Sequence, residues 1–136
     1  MFPLKDIMVK NVKTVRRDTD IYEAIQVMLD NDITGLPVVN EDGTLAGVIS
    51  EKDVLNLMYN LRDRQSKVED FMTQQVTTFN ESDSLIDVTE CLINNSFRRV
   101  PVLVDGRVVG IISRKDVIRF ILTFRKKNIS AGAQAS

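Results

Sequence analysis

The feature that most constrains this chain is an internal repeat, because the second half of the sequence repeats the first. The offset is 64 residues and becomes 63 after one residue is lost in a turn. The residues that recur at the first offset are Asp6, Met8, Val12, Thr14, Asn31, Pro37 and Val38, matched by Asp70, Met72, Val76, Thr78, Asn95, Pro101 and Val102. The residues that recur at the second are Gly43, Gly47, Ile49, Ser50, Lys52, Asp53 and Val54, matched by Gly106, Gly110, Ile112, Ser113, Lys115, Asp116 and Val117. Two of the three prolines and four of the six glycines are matched, so the backbone path is predicted to be duplicated.

Each copy predicts the element order β-α-β-β-α, which is a mixed α/β (α+β) fold. Helical spacing marks a packing stripe in each first helix: Ile21, Ala24, Ile25, Met28 and Leu29, then Leu85, Val88, Thr89, Leu92 and Ile93. Two short apolar runs around Pro37 and Pro101 each precede an acidic-Gly turn, which indicates a hairpin. Second helices are predicted to start at Ser50 and Ser113. The apolar positions of the first of them are Val54, Leu57, Met58 and Leu61, and those of the other are Val117, Phe120, Ile121 and Phe124.

Composition and charge exclude several classes of function. Eighteen basic and nineteen acidic side chains give a net charge of -1, so no strong overall field attracts nucleic acid or anionic lipid. No apolar run approaches the roughly 18 residues of a membrane span, and no signal peptide is evident, so we expect a cytoplasmic protein. There is no histidine, and Cys91 is the one cysteine, within a helical pattern where a packed thiol is expected. We therefore expect no metal site and assign Cys91 no function.

The sharpest motif is the Gly-apolar-apolar-Ser-x-x-Asp segment that ends in Asp53 and recurs with Asp116 at its end. One interpretation is a capping box, in which Ser50 or Ser113 caps the helix and the acid three residues later reaches back to it. The other interpretation is a ligand site, because a helix start supplies free NH groups and a carboxylate there can accept two hydrogen bonds from a ribose diol. The two roles are compatible.

The patterned region resembles a pair of cystathionine beta-synthase-type (CBS) domains, also called a Bateman module. The resemblance is carried by the Asp-x-Met openings, the small-apolar-Pro-Val strands and the Ser-x-x-Asp endings, in the same order twice. The strand motif is Gly35-Leu36-Pro37-Val38 in the first copy, whereas Arg99-Val100-Pro101-Val102 in the second departs from it at the first position. It implies a stand-alone CBS protein with repeat 1 at residues 1–65, repeat 2 at residues 66–127 and a flexible tail at residues 128–136, the repeats packing with pseudo-two-fold symmetry. The charged residues 62–67 are predicted to connect them.

The resemblance also implies two clefts between the repeats that bind adenosine ligands such as AMP, ADP, ATP or S-adenosylmethionine. Each cleft combines the Ser-x-x-Asp of one repeat with the early strand of the other. One predicted set is Ser50 and Asp53 with Thr77, Thr78 and Arg99, and the other is Ser113 and Asp116 with Lys13, Thr14 and Gly35.

Arg98 and Arg99 stand where related modules place basic residues that reach ligand phosphates, although a solvated strand entry is the commoner role of such a pair. The matching residues Thr34 and Gly35 are uncharged, so we expect the two pockets to differ and the Asp53 pocket to bind phosphate better. The matched Lys52 and Lys115 are secondary candidates, since a lysine in a first helical turn is usually solvated.

The sequence favours a regulatory module that senses an adenine nucleotide and alters a partner protein on another chain. Dimerisation through the helices is expected from the resemblance, with no required cofactor. The alternative is a ligand-independent dimerisation or protein-interaction module whose Ser-x-x-Asp segments are helix caps only. An enzyme is not expected, since histidine and the glycine-rich phosphate loops are both missing from the sequence.

Overall fold

The two copies fold with the predicted element order in the computed structural model, which describes residues 2–59, 61 and 66–135, with side chains to residue 129. The elements of the first copy are β1 (Val15–Arg16), α1 (Ile21–Asp30), β2 (Gly35–Val39), β3 (Leu45–Ser50) and α2 (Glu51–Leu55). Those of the second are β4 (Phe79–Asn80), α3 (Leu85–Asn94), β5 (Arg99–Val104), β6 (Arg107–Ser113) and α4 (Arg114–Ala135). The mixed α/β fold class is confirmed.

Each copy contributes one three-stranded sheet, with strand orders β1-β2-β3 and β4-β5-β6. The first two strands of each sheet are parallel, with Val15 opposite Val38 in one and Phe79 opposite Val102 in the other. In the first sheet β2 and β3 are antiparallel and place Gly35 opposite Ser50. This register places the end of β3, where the Ser-x-x-Asp motif begins, beside the start of β2.

The chain divides into two compact units, each built mainly from one copy. Each unit also contains the first residues of the other copy, which we call its opening segment. Unit 1 comprises Met1–Lys10, Thr78–Leu103 and Val109–Ser136, whereas unit 2 comprises Asn11–Thr77 and Val104–Val108. In unit 1, Val9 and Ile111 exchange backbone hydrogen bonds of 2.9 and 3.0 Å. In unit 2, Thr73 and Val48 do the same at 2.9 Å. The sequence did not predict this exchange of opening segments.

Each unit has its own apolar core, built from the predicted stripes of its first helix and from its central strand. The core of unit 2 includes the fully buried Ile21, Leu36 and Ile49, and that of unit 1 includes Leu4 and Val102. Leu29 and Ile93, the last positions of the two predicted stripes, are instead 71% and 74% exposed. The packing stripe therefore ends one position before the sequence predicts.

The second helices differ between the copies. Helix α2 ends at Leu55 and continues as a 3₁₀ turn, Asn56–Tyr59, which buries Leu57 and leaves Met58 67% exposed. Of these two neighbouring apolar positions of the predicted second helix, only Leu57 is buried, and both lie in the 3₁₀ turn. Helix α4, in contrast, extends to Ala135. The flexibility predicted for residues 128–136 stays a prediction, and most of the predicted connection, residues 62–65, lies outside the described residues.

The two acidic-Gly turns form hairpins as predicted. Gly43 and Gly106 have φ angles of 86° and 78°, and Asp105 also has a positive φ, which such tight turns require. In the first turn, Thr44 donates side-chain and backbone hydrogen bonds that hold the pKa of the Asp42 carboxyl below its usual range. No described helix combines the length and the apolar character needed to cross a bilayer.

Candidate functional site

The first Ser-x-x-Asp segment lies in unit 2, where β3 ends and α2 begins, and it forms a capping box. Ser50 is the N-cap, and its backbone NH and Oγ both donate to Asp53 Oδ2 at 2.9 Å. The Asp53 backbone NH donates in return to Ser50 Oγ at 3.4 Å. The capping interpretation is therefore confirmed for this segment.

The cap uses one carboxylate oxygen of Asp53 and leaves the other, Oδ1, outside it. A single described side chain donates to this outer oxygen: Thr73, whose Oγ1 is 3.1 Å from Oδ1 and 3.3 Å from Oδ2. Thr73 belongs to the opening segment that pairs with Val48, two residues before Ser50. The exchange of opening segments therefore places a hydroxyl beside Asp53 that the sequence analysis did not include.

A glycine permits this close approach. A Cβ on Gly47 would lie 2.5 Å from the carbonyl oxygen of Thr73 and 3.2 Å from Met72 Sδ. Since real Cβ atoms do not approach a carbonyl oxygen so closely, only glycine at position 47 allows the backbone of the opening segment to approach β3 to this distance. Gly47 thus permits the close pairing that positions Thr73.

The second Ser-x-x-Asp segment, in unit 1, has the same cap but a different outer partner. Ser113 donates to Asp116 Oδ2 from its NH at 2.8 Å and from its Oγ at 2.9 Å. Asp116 Oδ1 accepts from Arg119 Nη1 at 3.2 Å, and the Arg119 side chain is 71% exposed. Asp116 itself is buried. The two carboxylates therefore share their inner hydrogen bonds and differ at the outer oxygen.

Two of the other predicted residues, Gly35 and Arg98, adjoin these caps within their own units. In unit 2, Gly35 is opposite Ser50, and the carbonyl oxygen of Thr34 accepts from the Glu51 NH at 3.1 Å. In unit 1, the carbonyl oxygen of Arg98 accepts from the Arg114 NH at 2.9 Å. The uncharged pair Thr34-Gly35 thus adjoins the Asp53 cap, and Arg98 adjoins the Asp116 cap by its backbone.

The side chains of Lys13, Thr14, Thr77 and Lys115 are exposed, and those of Thr78 and Arg99 are half-buried. Thr14 lines an open groove of about 400 Å³ in unit 2, whose walls also include Arg16, Glu23 and Glu41. Positive and negative side chains are mixed in this groove, so it offers no concentrated charge for a phosphate. The predicted assembly of these residues into two ligand clefts stays a prediction.

The sequence model of the CBS domain family matches this chain twice, at residues 4–60 and 68–123. The chain belongs to the CBS domain family. Both Ser-x-x-Asp segments fall within the matched ranges, as do both hairpins, so the predicted resemblance is confirmed.

Known proteins are similar to this chain over most of its length. It is 35% identical over 119 residues to the protein MJ1225 of Methanocaldococcus jannaschii, an alignment that covers 88% of this chain and 42% of that protein. The chain thus spans less than half the length of that relative.

Two crystal structures of CBS-pair proteins with bound ligands have a similar fold. That of CBSX2 from Arabidopsis thaliana in complex with AMP has a TM-score of 0.84 and 30% identity, and covers 92% of this chain and 99% of that chain. That of the CBS domain pair of MJ0100, in complex with 5'-methylthioadenosine and S-adenosyl-L-methionine, has a TM-score of 0.77 and 30% identity, and covers 89% and 96%. The ligands in both contain adenosine.

Proposed function

We propose that this chain is a regulatory module that binds an adenine nucleotide or S-adenosylmethionine through its CBS repeats. The observation that carries the proposal is the second oxygen of each capped carboxylate, because the hydrogen bonds from Ser50 and Ser113 use Oδ2 and leave Oδ1 outside the cap. A carboxylate held in this way can accept hydrogen bonds from a ribose diol without losing its cap. The adenosine ligands of two CBS-pair structures support the same chemistry.

In this proposal the two carboxylates hold ribose and the neighbouring polar side chains contact the rest of the ligand. Arg98 and Arg99 bind phosphate, because a guanidinium presents a planar fork of donors. The other residues proposed to contact ligand are Ser50, Ser113, Lys13, Thr14, Gly35, Thr77, Thr78 and Lys115. The ligand is regulatory, the chain is not an enzyme, and ligand binding modulates a partner protein.

We also propose that the protein is a homodimer. Each unit by itself exposes large apolar side chains on its helices, including Ile118 and Ile121 in unit 1 and Met58 and Tyr59 in unit 2. Between α3 and α4 an open groove of about 330 Å³ is lined mainly by apolar side chains. Exposed apolar surface of this kind is typical of protein interfaces.

The same surface supports the second candidate function, a ligand-independent interaction module. In that case Asp53 and Asp116 are caps only, and their removal would affect stability but no ligand. The capping hydrogen bonds are compatible with both functions, so only contact between a ligand and Oδ1 distinguishes them.

A crystal structure of the protein with AMP tests the first function. We expect adenosine density with ribose hydroxyls within hydrogen-bonding distance of Asp53, of Asp116, or of both. Crystals grown at saturating AMP in which neither carboxylate contacts a nucleotide would favour the interaction module instead.

A further inference from the structure

We propose that the Thr73 hydroxyl competes with the ligand for Asp53 and so sets the affinity of this carboxylate for a ribose diol. The inference rests on the proposed function and deepens it by adding a residue that lowers affinity. It concerns contacts within unit 2 alone.

The hydrogen bonds of Asp53 leave little room for a diol. A carboxylate offers about four acceptor positions. Ser50 fills two of them at Oδ2 through its NH and Oγ, both at 2.9 Å. Thr73 Oγ1 is 3.1 Å from Oδ1 and 3.3 Å from Oδ2, so its hydroxyl can donate to either oxygen and occupies a third position. Two hydroxyls of a ribose cannot both donate there while Thr73 stays.

The Thr73 side chain can leave without moving its backbone. Two hydrogen bonds of 2.9 Å join Thr73 to Val48, one through its NH and one through its carbonyl oxygen. These bonds hold the segment on β3 whichever rotamer the side chain adopts. The side chain is exposed, so after rotation about χ1 its hydroxyl can hydrogen-bond to water. The cost of displacement is therefore mainly the lost hydrogen bond to Asp53.

The other copy lacks this competitor. Val9 occupies the position that matches Thr73 and makes the matching backbone hydrogen bonds to Ile111. A valine side chain cannot donate to Asp116, whose outer oxygen accepts from Arg119 instead. The position matching Arg119 in the first copy is Asn56. The backbone pairing therefore does not require threonine at this position, and only the Asp53 carboxylate has a threonine hydroxyl beside it.

The test is Thr73→Val, which puts the residue of the matched position in place of threonine and keeps its shape. AMP affinity is measured by calorimetry, and every protein compared also carries Asp116→Ala; the protein with this change alone is the background protein. The measured affinity then reflects binding at Asp53 alone. We expect Thr73→Val to bind AMP about three- to tenfold more tightly, the range that one hydrogen bond represents. Thr73→Ser keeps the hydroxyl and should retain the affinity of the background protein.

Two controls separate competition from a general effect on structure. The first is 2′,3′-dideoxyadenosine 5′-monophosphate, which lacks the diol and should bind Thr73→Val and the background protein equally. The second is Thr44→Val, which removes a similar hydroxyl-to-carboxylate bond, from Thr44 Oγ1 to Asp42 at 2.6 Å in the hairpin turn, and should leave AMP affinity unchanged.

The outcomes distinguish this proposal from the proposed function. If AMP binds but Thr73→Val leaves its affinity unchanged or weaker, or tightens AMP and the dideoxy nucleotide equally, the competition is wrong and the nucleotide site stands. If neither the wild-type protein nor Thr73→Val binds AMP, the proposed function fails and the competition fails with it.

Discussion

At the scale of single residues, the matched glycines Gly47 and Gly110 have different neighbours. The atom nearest to a Cβ on Gly47 would be the Thr73 carbonyl oxygen, which the hydrogen bond from Val48 holds in place. The three atoms nearest to a Cβ on Gly110 all belong to the Met8 side chain, including its Cγ at 2.7 Å. Methionine has three rotatable side-chain bonds and can adapt, whereas a paired backbone cannot.

We therefore predict that Gly47→Ala destabilises the protein more than Gly110→Ala. Forced overpacking costs about 1–3 kcal/mol, and Gly47→Ala should lie toward the upper end of that range because the backbone must shift. Urea denaturation of the two variants measures the difference in the free energy of unfolding. An equal or larger loss for Gly110→Ala would contradict the prediction, because it would show that the Met8 side chain is at least as rigid a neighbour as the Thr73 backbone.

The sequence predicted the residues of both caps because a capping box is local. Ser50 and Asp53 are three positions apart, and so are Ser113 and Asp116. Thr73 was not predicted, since it is 20 positions from Asp53 and its match, Val9, carries no hydroxyl. Arg119 was missed although a signal existed: it follows Asp116 by three positions in a helix, where side chains meet.

At the scale of elements, the hairpins and first helices were predictable from local signals. Turn residues fixed the two hairpins, and Asp20 and Ser84 cap α1 and α3 with hydrogen bonds to the second residue of each helix. The change of α2 into a 3₁₀ turn was not predictable, because an apolar pattern five to ten residues long fits both helix types. Neither was the exchange of opening segments, which depends on pairing between residues distant in sequence.

At the scale of the whole molecule, the repeat predicted two similar halves and the structure adds how they differ. The sequence predicts a difference between Arg98-Arg99 in one half and Thr34-Gly35 in the other. The outer partners of the two carboxylates, Thr73 and Arg119, add a second difference. The two halves are therefore expected to bind ligand with unequal affinity.

Oligomeric state also belongs to this scale. We predict a dimer of the 15.4 kDa chain in light scattering at micromolar concentration. Ile118 is 65% exposed on α4, and Ile118→Glu should shift the dimer toward the monomer because it puts a charge into an apolar contact. Lys126→Gln, which changes the net charge by the same amount at an exposed polar position, is the control. A monomer mass for the wild-type protein would contradict the prediction.

Calorimetric titration with AMP, ADP, ATP and S-adenosylmethionine tests the central claim most directly. We predict saturable heat with at least one of these ligands. Asp53→Ala and Asp116→Ala should each weaken binding at a different one of the two sites. Asp20→Ala is the matched control, because it removes another helix cap, a 2.8 Å bond to the Tyr22 NH, and should cost about 0.5–2 kcal/mol of stability without affecting binding. No heat and no thermal shift with any of the four ligands would contradict the claim.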